Sequence, residues 1–165
     1  MALRARGALE FVCRELRCHA PSLVWICPTS PALKSEPLKF DYEEELDAIV
    51  RLTQDTTGGF TPWNHSLHEV WILSTRDACP HLEFAIIHEV RHAYQKKFCR
   101  DVFEDPGRAE GDAYAFGYAL VRRYFSSIQI ELMEAIDRQE AETRQWFQSK
   151  FPQSAYGIVA CGQHI

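Results

Sequence analysis

Leu82-Glu83-Phe84-Ala85-Ile86-Ile87-His88-Glu89-Val90-Arg91-His92-Ala93-Tyr94 is the stretch from which the rest of the chain is read. Its apolar residues recur on several sides of a helix, so the segment is expected to be buried. Residues four apart on an α-helix lie about 40° apart around the axis and about 6 Å along it. The imidazoles of His88 and His92 therefore project from one face, in the geometry of a pair of zinc ligands. A third oxygen or nitrogen donor would complete a site that keeps one position open for water. Glu89, beside the first histidine, is placed to act on that water as a general base.

The third donor is sought downstream, where the acids are Asp101, Glu104, Asp105, Glu110 and Asp112. Asp105 and Pro106 suit the cap and first position of a helix that runs to about Phe125. Glu110 sits in its first turn, and Ala113 and Gly117 follow on the same face. Those small residues let that face approach the metal helix closely, which favours Glu110. Asp112 lies about 200° round the helix, one turn from Arg108 and on the side of Arg122 and Arg123, so it reads as a solvated residue. A first-turn acid also suits the helix dipole without any metal.

With 165 residues, 46% apolar and 12% aromatic, the chain is expected to form a single domain over 1–165 with an ordinary core. A formal charge of -5 with dispersed lysines and arginines supplies no basic field for a phosphate backbone, so nucleic acid is an unfavourable partner. No apolar run is long enough to span a bilayer, and Met1 to Gly7 lacks the apolar core of a secretion signal. These features fit a cytoplasmic protein with no membrane partner. Cys13, Cys18, Cys27, Cys79, Cys99 and Cys161 contain no C-x-x-C pair, and in a reducing compartment they read as small buried apolar residues. Export would instead permit disulfides.

Leu3, Leu9, Val12, Cys13 and Leu16 recur at helical spacing and end before Pro21, which predicts an amino-terminal amphipathic helix. Ser22 to Cys27 is a short apolar strand, and Pro28 to Pro37 is a loop. Asp41 to Leu52 fits either a capped helix or an alternating strand. The Thr56-Thr57-Gly58-Gly59 turn favours a strand from about Ala48 that reverses into Phe60. His68 to Ser74 is the clearest strand. Cys99 to Glu104 reads as a connection. Ser126 and Gln129 form a possible capping box before a last amphipathic helix through Leu132, Ile136 and Trp146, which ends before Pro152. The tail from Gln153 carries little signal, and Cys161 and His164 within it are weak as a ligand pair. His65, His68 and His81 suit surface, capping or substrate-binding roles as well as a second metal.

His88-Glu89-x-x-His92, followed by Glu110-Gly111-Asp112-Ala113-Tyr114-Ala115-Phe116-Gly117, resembles the HExxH plus Glu-x-x-Ala-x-x-Phe-Ala signature of gluzincin zinc metallopeptidases, and most resembles their small ImmA/IrrE-like type. The resemblance is motif-specific from about His68 to Tyr124. It implies an α+β, zincin-like domain with an amino-terminal helix, a short mixed sheet of three to four strands, the metal helix and carboxyl-terminal helices. It also implies one Zn2+ per chain on His88, His92 and Glu110, with Glu89 as the base in hydrolysis of a peptide or protein substrate. In that fold the strand before the metal helix borders the cleft, so His68 to Ser74 is expected to pair with an extended substrate. The family usually has Asp or Asn four residues after the ligand glutamate, supporting a metal-bound histidine. Tyr114 stands there in this chain. Tyr114 and His68 are the candidates for steadying a developing oxyanion or supporting a ligand. A binding module that keeps the fold without turnover, and a purely structural helical domain, are the alternatives.

Overall fold

The computed structural model describes residues 2–26, 59–61, 68–73, 81–125 and 130–161. The expected loop 28–37, the ambiguous stretch 41–52, the reverse turn 56–58 and the capping box 126–129 lie outside them. Helix α1 (Ala2–Leu16) leads to strand β1 (Ser22–Ile26), and strands β2 (Gly59–Phe60) and β3 (Glu69–Leu73) precede the long helix α2 (His81–Phe98). A one-turn helix α3 (Arg100–Phe103), helix α4 (Pro106–Tyr124) and helix α5 (Ile130–Lys150) follow. The fold is α+β and mostly helical. No helix among the described residues is long and apolar enough to cross a membrane.

The α1 stripe is rotated from its expected setting. Leu3 is 85% exposed, while Ala5, Ala8, Val12 and Leu16 are buried. Alanines at two of these positions bring α1 close to α2, and Arg4 holds them together by donating from Nε and Nη2 to the two carboxylate oxygens of Glu83 at 2.6 and 2.8 Å. Arg17 takes the left-handed conformation at φ 51°, and the Cys18 N–H bonds back to the Cys13 carbonyl at 3.1 Å. That closing turn satisfies helix-end carbonyls in place of the usual glycine.

β3 is the middle strand. β1 lies parallel to it from Ser22 opposite Glu69 to Ile26 opposite Leu73, and β2 lies antiparallel, with Gly59 opposite Ile72 and Phe60 opposite Trp71. Val70 and Ile72, on one face of the pleat, enter the core shared with α1, α2 and α4, and Trp71 is buried on the other. β1 takes one edge of β3 along its length and β2 takes the other at Trp71 and Ile72, so β3 is not the open edge expected for a substrate strand. Among the described strands, β2 is the edge beside α2.

α2 is buried almost all round. Leu82, Ile86, Ile87, Val90 and Ala93 pack into the core, and burial of each large aliphatic is worth about 1.5–3 kcal/mol. α4 begins where Asp105 accepts the Arg108 N–H at 3.1 Å with Pro106 in the first position. It crosses α2 through Ala113 and Gly117, and a Cβ on Gly117 would sit 2.9 Å from the Phe84 ring. α5 adds Ile136 and Phe147 and is tied to α4 by Arg122 with Asp137 and Glu140 and by Tyr118 with Thr143.

Two expectations fail after α2. The connection 99–104 contains α3, whose Val102 and Phe103 are buried. The tail is not featureless, since residues 151–161 lie against α4 and Cys161 forms a disulfide with Cys99. The reading of these two cysteines as reduced thiols is thereby corrected. Cys13 and Cys18 are free.

Candidate metal centre

α2 presents His88 and His92 to the first turn of α4, and Glu110 reaches across to both. Its carboxylate oxygens lie 3.5 Å from His88 Nε2 and 3.6 Å from His92 Nε2, and the two Nε2 atoms are 3.1 Å apart. A tetrahedral ion about 2.1 Å from each donor sets its donors roughly 3.4 Å apart. Each imidazole faces a different oxygen of the carboxylate, and one ligand atom from each residue lies within 4.8 Å of the others, close enough to converge on one ion; two imidazoles and one carboxylate are among the donor sets zinc takes in catalytic sites. Both histidines are buried, and the Glu110 side chain is 33% exposed.

The electrostatics fit a cation at the same point. Burial pushes the His92 imidazole down, but the Glu110 and Glu89 carboxylates and the Gln95 bond outweigh it and lift it to about 9. Burial raises Glu110, yet the two imidazoles overcome it and hold its carboxyl well below the usual carboxylate range. A carboxylate and two imidazoles enclosed together thus demand positive charge, which a proton or a divalent ion satisfies.

Glu89 faces this point from the sheet side. Its Oε2 accepts from the Thr61 hydroxyl at 2.9 Å, which leaves Oε1 4.0 Å from His88 Nε2. Thr61 also lies 2.8 Å from the Glu89 carbonyl, so one hydroxyl fixes both the backbone and the side chain. Burial raises the Glu89 carboxyl, opposed by both imidazoles and by Thr61, while Glu110 raises it further. Gly59 is required beside it, because a Cβ there would sit 2.6 Å from Glu89 Cγ. The sequence reading missed Thr61. The only signal was its place after Gly59-Phe60, at the end of a short edge strand.

His92 is oriented from behind. Its Nδ1 lies 2.8 Å from Gln95 Oε1, and the Gln95 amide nitrogen donates to the Ala109 carbonyl at 3.0 Å and to Asp112 Oδ2. Two acceptors at the amide nitrogen fix which end of Gln95 is oxygen, so His92 Nδ1 must be an N–H donor, which leaves Nε2 as the nitrogen that can face an ion. Asp112, expected on a solvated face, is fully buried. Its reversal has a physical cause: Arg91 donates to both of its oxygens at 2.7 and 2.9 Å, and the tail covers it from outside.

Tyr114 does reach the site, with its ring centroid 4.4 Å from that of His88. It packs on the imidazole, and His88 Nδ1 is buried without a hydrogen-bond partner among the described residues. Burial, followed by the charges of Glu110 and Glu89, pushes the phenol well above its ordinary range, so Tyr114 stays a neutral O–H donor. His68 does not join the cluster. It is exposed, its Nε2 lies 3.1 Å from the His19 carbonyl, and it shares a small cleft with Cys18 and Lys97 beyond the opposite face of α2. His81 Nδ1 accepts from the Gln139 amide at 3.0 Å. His65 and His164 lie outside the described residues.

Comparison of the chain with protein-family models, curated proteins and solved structures gives no match.

Proposed function

We propose that the protein is a zinc-dependent metallopeptidase of the gluzincin type, with His88, His92 and Glu110 as ligands and Glu89 as general base. The observation that carries this reading is the convergence of two imidazoles and one carboxylate within 4.8 Å of one another, with Glu89 Oε1 4.0 Å from His88 Nε2 beside them. The HExxH-type spacing and its resemblance to the small ImmA/IrrE-like peptidases support the same reading. Zinc bound there supplies a Lewis acid for the scissile carbonyl and brings the pKa of its water to about 7. Glu89 takes a proton from the attacking water through Oε1 and returns it to the leaving amine, while Thr61 holds the carboxylate in line. Its burial-raised basicity suits that exchange. An extended peptide or protein substrate pairs with the edge at Gly59–Phe60, which lies against Glu89. The Tyr114 O–H is the neutral donor near His88 for a developing oxyanion.

A second reading, a zinc-binding module with weak or absent turnover, is favoured by one observation: among the described residues His88 Nδ1 has no partner, where the family usually supplies a carboxylate or amide. Two measurements test the pair. Metal content is expected at about one zinc per chain in wild type and near none in His88→Ala, His92→Ala and Glu110→Ala. Hydrolysis of a labelled peptide pool by wild type, lost in Glu89→Gln with zinc retained, supports the peptidase. Zinc-loaded wild type as inert as Glu89→Gln supports the module, and wild type without stoichiometric zinc rejects both.

A further inference from the structure

Asp112 uses every acceptor site it has. Oδ1 accepts from Arg91 Nη2 at 2.9 Å and from the Val159 N–H at 2.7 Å, while Oδ2 accepts from Arg91 Nε at 2.7 Å and from the Gln95 amide. One of these donors belongs to the tail. Arg91 in turn donates to the Val159 carbonyl at 2.9 Å and lies 3.6 Å from Cys161 Sγ. Cys161 is bonded to Cys99, whose N–H closes α2 on the carbonyl of Gln95 itself. The chain of contacts thus runs from His92 through Gln95 and Asp112 to Val159, and returns through the disulfide to the end of the metal helix.

α4 is shaped to receive this segment. A Cβ on Gly107 would meet Ser154 Oγ at 2.0 Å, and one on Gly111 would meet the Ala155 carbonyl oxygen at 2.3 Å. The two glycines, one turn apart, open a groove on α4 next to Glu110, and residues 154 and 155 lie in it.

We infer that residues 151–161 are a working part of the metal centre, and that the Cys99–Cys161 disulfide sets the affinity for the ion by holding Val159 on Asp112. This rests on the zinc reading above. With the bridge open, Val159 keeps its hydrogen bonds to Asp112 and Arg91 and the groove contacts of residues 154 and 155, but the chain beyond it is no longer anchored. When Val159 leaves, Asp112 Oδ1 and Arg91 meet water, the carboxylate gains freedom to turn, and the Gln95 amide keeps the Ala109 carbonyl as its one fixed acceptor. His92 Nδ1 is then held less firmly through Gln95. A reducing dithiol can open the bridge by thiol exchange, releasing two protein thiols and becoming a disulfide itself.

The test compares zinc affinity, by competition with a chromophoric chelator, in oxidised wild type, in the same protein reduced by a phosphine, and after reoxidation with oxidised glutathione. The phosphine takes its oxygen from water, releases the two protein thiols and adds no small-molecule thiol to compete for the metal. Reduction is expected to weaken zinc about tenfold, the lower end of the loss for outer partners of a metal ligand, and reoxidation to restore it. Cys161→Ser should match the reduced protein. Val159→Pro, which keeps the bridge and the carbonyl that Arg91 binds but removes the N–H, should weaken zinc as well. Imidazole 15N spectra of the zinc-loaded protein should show His92 protonated and hydrogen-bonded at Nδ1 in the oxidised state, with that signal broadened or shifted on reduction. Equal affinity in both redox states, with the bridge verified by mass, overturns the inference and leaves the zinc reading standing. Failure of the bridge to form under mild oxidation also overturns it. Absence of zinc binding in either state overturns both.

Discussion

The two histidines of the candidate centre sit one turn apart on the same helix and are held in opposite ways. Behind His92 stands a filled polar network, in which Gln95, Asp112, Arg91 and Val159 leave no carboxylate oxygen unused. Behind His88 stands a wall of rings, with Phe84 and Tyr114 at centroid distances of 5.8 and 4.4 Å and a buried Nδ1 without a partner among the described residues. One imidazole is fixed by directed bonds, the other by shape. Directed bonds select a tautomer as well as an orientation, whereas packing selects orientation alone. The site is therefore expected to fail first, and furthest, on the His92 side.

The hardest break is Asp112→Ala. It leaves the Arg91 guanidinium buried with most of its acceptors gone, and losing one partner of a buried ion pair costs about 3–5 kcal/mol. Thermal unfolding of the metal-free protein is expected to move down by roughly 10 °C, and zinc affinity should fall with it. A variant as stable as wild type would mean that Asp112 is not enclosed as described.

pH probes the charge shared by the cluster. In protein stripped of metal, His92 is lifted to about 9 from an ordinary value of 6.5, so its contribution to stability is complete below pH 6.5 and is lost as pH rises through 9. Glu110 acts in the opposite direction, its contribution being present above 4.5 and lost as pH falls toward its depressed value. Zinc must displace the His92 proton, so its affinity should weaken by about tenfold per unit as pH drops from 9 toward 7. Calorimetry in two buffers of different ionisation enthalpy counts the proton directly. No proton release at pH 7.5 would remove His92 from the ligand set.

How far the sequence carried this centre follows from the range of the interactions involved. Helical period places His88 above His92, and the small residues Ala113 and Gly117 mark the α4 face that carries Glu110, because both are local rules of one helix. Asp112 looked solvated by the same rule. Its neighbours on α4 are arginines, and the groups that bury it come from Arg91 and from Val159, which lies 47 positions away. No period reports a partner at that separation. The featureless tail has the same explanation, since its residues are fixed by a groove of two glycines on α4 and by a disulfide that closes over a separation of 62 residues. The β3 strand was legible by composition, with apolar residues on both faces. Its place in the middle of the sheet depends on β2, whose two residues are too short to announce themselves.

Gln95→Leu cuts the comparison at its narrowest point. Leucine fills much of the same volume but gives His92 Nδ1 no acceptor and leaves one Asp112 lone pair open. Zinc affinity should fall about 10- to 100-fold, with a smaller effect on folding than Asp112→Ala, because Arg91 keeps its carboxylate. An unchanged affinity would show that packing suffices on this side too.

The mildest change runs the other way and gives His88 what His92 already has. Tyr114→Asp places a carboxylate at the position from which a metal-bound histidine is usually supported in the gluzincins that the motif resembles. The ring it removes is the one packed against the imidazole and against Trp146 at 5.8 Å, so some packing is lost as the bond is gained. Tyr114→Phe separates the two effects, since it keeps the ring and deletes only the O–H. If the missing Nδ1 partner limits the site, Tyr114→Asp should tighten zinc by less than about tenfold while Tyr114→Phe leaves affinity unchanged. Weaker zinc in the aspartate variant would instead mean that the aromatic wall is what holds His88 in register, and that a chain with a tyrosine there has exchanged basicity of the ligand for rigidity of its ring.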